Sequence, residues 1–152
     1  MPASLPPNLV AYTVVGAVET PLALLDFGTG QAAHGNAELG PVRIRLYNEE
    51  DPPNVHATAL SPVCYIGGTD ASVVGNLNNP WTQMQNIDNN GVPVSDDYEP
   101  VSNSYEHGSK PLPGPDIEPD TYVTFDVQLT IPQGTLGGQY EWEYIIEYLY
   151  TT

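Results

Sequence analysis

At 152 residues the chain has the length of one domain, and its formal net charge of −16 comes from 19 Asp and Glu set against three Lys and Arg. Phosphates would be repelled, which argues against DNA, RNA and anionic membrane surfaces and in favour of a basic protein surface or cations. With 16 Pro, 14 Gly and 10 Tyr, and few strong helix formers in runs, the composition points to an all-β chain.

Met1 to Asn8 is Pro-rich and reads as an extended arm, either a frayed terminus or a segment lying on a neighbouring subunit. It has no basic stretch of the kind that opens a secretory signal. The apolar run Val10 to Val18 is too short and too Gly-interrupted to span a bilayer. Leu9 to Val18 and Leu22 to Phe27 are expected as two strands separated at Thr20-Pro21. Gly28 and Gly30 are not a phosphate loop, since no third Gly, no Lys and no helix pattern follow.

Pro41 to Asn48 is a clean strand, with Val42, Ile44 and Leu46 alternating against Arg43, Arg45 and Tyr47. Two of the three basic side chains therefore share one strand face. They either meet carboxylates on an adjacent strand or anchor a partner's carboxylates through their forked guanidinium groups. Val55 to Ile66 holds one or two strands broken at Ser61-Pro62. Turns at Gly67–Asp70 and Asn76–Pro80 enclose a short Ala71 to Val74 piece, and Trp81 to Ile87 is a weaker strand. Asp88 to Asp120 carries six prolines and little periodicity, apart from a short strand pair suggested by Val92, Val94 and Val101. It reads as a long surface loop.

The strongest signal is at the end. Val123, Phe125, Val127, Leu129 and Ile131 alternate with polar residues, and after a Pro- and Gly-rich loop Tyr140, Trp142, Tyr144 and Ile146 do the same. These runs are expected to pair as an antiparallel hairpin with its apolar face in the core. The whole set predicts an antiparallel two-sheet β-sandwich of seven or eight strands, with residues 9–152 as a single domain. Ile145 and Leu149 fall on the face that Glu141, Glu143 and Glu147 mark as solvent-facing, so the strand end is apolar on both sides. Together with Arg43 and Arg45 they are the candidate partner-binding residues.

No catalytic constellation stands out. His34, His56 and His107 are scattered, Cys64 is alone, and no nucleophile elbow is present. No cofactor is expected, with calcium as the one candidate ligand. The stretch from Asn86 to Asp97 fits a calcium loop in part: Asn86, Asp88, Asn90 and Asp97 take positions 1, 3, 5 and 12, and Gly91 takes position 6. The alternative is a turn at Asn89-Asn90-Gly91 joining two extended segments.

Leu25-Asp26-Phe27-Gly28-Thr29, Gly35 and Arg45-Leu46-Tyr47-Asn48 resemble the opening of immunoglobulin-like domains. With Asn79-Pro80-Trp81 and the stretch from Ile131 to Tyr140 they form a set similar to small tailed-phage virion proteins. The resemblance implies an immunoglobulin-like, non-enzymatic virion protein that decorates or cements a capsid lattice. It would sit on the outer capsid surface after assembly in the host cytoplasm, with copies of itself or the capsid protein as partners. It carries no catalytic residues. The alternative is a module of an extracellular filament or surface layer.

Overall fold

A computed structural model describes residues 5–22, 24–75, 80–88, 93, 98–101, 110–111 and 116–151. It is an antiparallel two-sheet β-sandwich. The strands are β1 (Leu9–Val15), β2 (Val18–Pro21), β3 (Ala37–Asn48), β4 (Ala59–Gly67), β5 (Thr82–Ile87), β6 (Glu99–Val101), β7 (Lys110–Pro111), β8 (Asp116–Ile117), β9 (Thr121–Ile131) and β10 (Glu143–Leu149). One α-helical turn, α1 (Ala71–Val74), follows β4. The larger sheet has the order β2-β1-β3-β9-β5-β6, and the smaller runs β10-β4-β7 with β8 also pairing to β4.

Alternating sequence gave the strands of the larger sheet their buried face. Ile44 and Leu46 on β3, Val123, Phe125, Val127 and Leu129 on β9, and Met84 on β5 point inward and are buried. Ala59, Cys64 and Ile66 on β4 meet them from the smaller sheet. Two polar residues of β9 are not wet, however: Thr124 and Asp126 are buried too. Strand β9 is central, and long side chains of its neighbours lie beside its outer face, with Arg43 gripping Asp126 and Gln83 bonding Gln128 and Thr130.

Three expectations are corrected. The two C-terminal runs do not form a hairpin, because β9 pairs with β3 and β5 whereas β10 pairs with β4. Period-two alternation specifies a strand and its apolar face but not its partner, and the connector 132–142 is far longer than a tight hairpin turn. It carries the chain from one sheet to the other, so the two apolar faces meet across the core. Second, Leu22–Phe27 is not a strand. The hairpin is β1–β2, closed by Gly16 at φ +60, and Leu22 donates a last backbone bond to Ala11 before the chain leaves the ladder. Third, Ser61-Pro62 does not break β4. On one side β8 pairs up to Leu60 and β7 resumes at Val63; on the other, β10 shifts register between Leu149↔Leu60 and Glu147↔Val63. Both ladders skip Pro62, which has no N–H to give. Ser61, at φ +49, takes up the kink and donates its N–H to the Asp116 carboxylate.

Gly40 interrupts the β3–β9 ladder between Leu39 and Val42. A Cβ there would lie 2.9 Å from the Val127 carbonyl oxygen at φ +93, so the position demands glycine.

The arm is tied down from Leu5 onward. Leu5 forms a parallel bridge with His56, and the His56 Nδ1–H donates to the Pro6 carbonyl. Asn48, fully buried, accepts the Asn8 N–H and donates to the carbonyls of Ala57 and Ile117. One side chain thereby joins the arm, β3, the approach to β4 and β8. Residues 1–4, the turn at 76–79, Val92, Val94, His107 and most of the long loop lie outside the described residues.

Candidate functional site

The larger sheet is wider than the smaller one, and the mismatch makes the site. Strand β4 covers the β9–β5 half of the inner face. Over the β1–β3 half the smaller sheet ends at β10, and the irregular segment 22–33 supplies the cover instead. Between them runs a groove of about 1460 Å³. Its floor runs from Ala11, Leu39, Ile44 and Leu46 on to Phe125, Val127 and Leu129 of β9; Leu25 and Phe27 line it on one side and Tyr140, Trp142, Tyr144 and Ile146 on the other.

The walls are apolar and aromatic. Phe27 stacks on Trp142 with centroids 6.3 Å apart and planes 12° apart, and Tyr140 meets the buried Trp81 edge-on at 4.9 Å. The entry to β10 is held by two bonds with Asp70 beside α1: the Asp70 N–H donates to the Glu141 carbonyl and its carboxylate accepts the Glu141 N–H. Burial pushes the Tyr144 phenol well above its ordinary range, and its hydroxyl lies 3.3 Å from Thr82 Oγ1. Burial likewise pushes the Cys64 thiol up to about 12, which leaves it a weak nucleophile at neutral pH.

The smaller sheet stops at β10, and among the described residues no strand pairs with that outer edge. In an antiparallel ladder alternate residues turn their N–H and C=O away from the partner strand, so these groups face outward beside the groove. No backbone hydrogen bond links Leu24–Gln31 to β10. The rim is acidic: Asp26, Glu141 and Glu143 line it, and among the described residues no Lys or Arg does.

The sequence-derived candidates divide. Arg43 forms a two-pronged bridge with Asp126, at 2.9 and 3.2 Å. Arg45 reaches Glu19 at 2.5 Å and lies 5.0 Å from the centre of the Tyr122 ring. Both arginines thus meet carboxylates of their own chain, Arg43 on the adjacent strand β9 and Arg45 by reaching across β1 to Glu19 on β2. Glu19 also accepts the Tyr47 hydroxyl, and this bond, followed by that of Arg45, holds its carboxyl below the usual range. Ile145 is half-buried over the bare backbone of Gly67, whereas Leu149 is 71% exposed. Asn86 lies within β5 opposite Phe125, and Asp88 is exposed just beyond that strand. Asn90 and Asp97 lie outside the described residues. Among those described, no group of three or more metal-ligating side chains gathers, and no helix is long and apolar enough to cross a membrane.

No family model, no curated protein and no solved structure matches this chain.

Sequence reasoning missed the groove. Its two walls are far apart in the chain, and Leu22–Phe27 looked like one more strand. The one available signal was Pro21, followed by the run Gly28–Thr29–Gly30, which has too little strand propensity to continue a ladder.

Proposed function

We propose that this chain is a structural module without catalytic activity that works by assembling with other proteins, in its most specific form as a virion protein attached to the outer face of a capsid lattice. The observation that carries this reading is the apolar groove beside the outer edge of β10, with which no strand among the described residues pairs. Exposed edges and apolar grooves are where sandwiches meet partners. The acidic charge suits a position facing away from packaged nucleic acid, and the turn motifs that resemble tailed-phage virion proteins give the reading its specific form. Calcium between Asn86 and Asp97 would stiffen such a module. Under this reading the Tm rises in millimolar calcium, and Asp88→Ala removes the rise.

The test is light scattering of the purified chain over a range of ionic strength. Like-charged copies repel, and screening shortens the reach of that repulsion to about 8 Å at physiological salt. Assembly predicts a mass above the 16.4 kDa of one chain that grows with salt and concentration. A chain that stays monomeric at high concentration and high salt contradicts self-assembly. Failure to bind any isolated lattice protein as well would end the reading.

A further inference from the structure

The groove has the shape left by one absent strand. The larger sheet continues past β10 through β3 and β1, whereas among the described residues no strand follows β10 in the smaller sheet, and 24–31 forms no ladder with it. At about 1460 Å³ the groove exceeds the roughly 300–1,000 Å³ of sites that hold small ligands. A length of extended chain fits it better.

Charge selects which chain. Glu143 and Glu147 on β10 are exposed, and Asp26 and Glu141 line the rim. Neither Arg43 nor Arg45 offsets them, since Asp126 and Glu19 already hold those two. A second copy fits poorly. Antiparallel pairing of two β10 strands about Ile145 would set Glu143 opposite Glu147 twice, and like charges directly opposite each other destabilise a ladder. The two chains would also each carry −16.

We propose that the β10 edge accepts, as an added strand, an extended basic segment of a partner protein whose residues alternate apolar and cationic. The period of two sends the apolar side chains into the groove against Phe27, Trp142 and Tyr144. It sends the Lys or Arg side chains outward beside Glu143 and Glu147. Main-chain bonds to the outward N–H and C=O groups of β10 supply register. This rests on the assembly reading and names the chemistry of its partner.

The test uses the full chain and capped synthetic nonapeptides. One alternates Val with Lys, one alternates Val with Glu, and one alternates Ser with Lys. Binding is followed by the fluorescence of Trp81 and Trp142, the only two tryptophans, both of which line the groove. Amide hydrogen exchange locates the site. The Val/Lys peptide is expected to bind at low salt, to weaken at least fivefold between low and physiological salt, and to slow the exchange of alternate β10 amides at least tenfold. The other two peptides should bind at least tenfold more weakly. The double variant Glu143→Gln/Glu147→Gln should weaken Val/Lys binding at least fivefold with an unchanged melting curve.

Equal binding of Ser/Lys would overturn the proposal by reducing it to charge alone, and equal binding of Val/Glu would remove the charge argument. Protection on strands other than β10 would also overturn it. So would β10 protection that grows with protein concentration in the absence of peptide, because the edge would then belong to a second copy. That last outcome would leave the assembly reading standing. The salt dependences keep the two apart: self-association rises with salt, and capture of a basic strand falls.

Discussion

The two halves of the larger sheet's inner face carry the same kind of residues and end differently. Under β4 the core is closed: Ala59, Met84 and Val101 are fully buried and Ile66 is 1% exposed. Under 22–33 the cover is loose. Leu22, Leu25 and Phe27 are half-buried and Leu24 is 82% exposed. What differs is the layer above. Strand β4 has partners on both edges, so its apolar side chains are held in register over β9 and β5. The 24–31 segment has no ladder to hold it. Apolar composition alone does not close a core; a hydrogen-bonded layer has to place the side chains.

The two tryptophans test this contrast most strongly. Trp81 is buried at the closed end of the groove, its N–H bonded to the Val74 carbonyl, and Trp81→Ala should cost about 3–5 kcal/mol in urea unfolding, as for other large buried aromatics. Trp142 stands on the wall of the open half. Its removal should cost less, about 1–2 kcal/mol, since it is only half-buried. Equal costs would mean that the two halves are equally closed.

Polar groups offer a second pair. Asn48→Ala strips partners from the Asn8 N–H and from the carbonyls of Ala57 and Ile117, and should cost about 2–4 kcal/mol by the same assay. Glu19 serves as the half-buried counterpart. Its carboxyl is held below the ordinary range in the folded chain, so its contribution is present above the unfolded value of about 4.3 and is lost as pH falls through the folded value. The stability difference between the unmodified chain and Glu19→Gln should be constant near neutral pH and vanish once the pH lies below the folded value. It should stay within the roughly 0.2–1 kcal/mol of exposed ion pairs. A difference that persists at pH 2 would mean that the variant acts through packing.

Much of this fold could be read from the chain, and the residues show why. Alternation alone placed the inward faces of β3 and β9, and the sandwich follows from the number of such runs. Pairing could not be read in the same way. Nothing in Tyr140–Tyr150 says that its ladder partner is β4 rather than β9, because hydrogen-bond partners are chosen by the whole assembly of strands. Arg43 and Arg45 were legible as a face, and the carboxylates opposite them followed only once β9 and β2 were in position. The clamp at Asn48 left no trace beyond its place at the end of an alternating run. It acts through backbone groups contributed by Asn8, Ala57 and Ile117, whose nearness is a product of folding. The groove was the least legible feature, since it arises from the unequal widths of two sheets.

Amide hydrogen exchange on the free chain tests the central claim most directly. The account predicts that β9 amides exchange only through global unfolding, while alternate β10 amides and those of Leu24–Gln31 exchange at near the rate of an open chain. Uniform protection along β10, equal to that of β9, would show that its outer edge is already covered and would contradict the account.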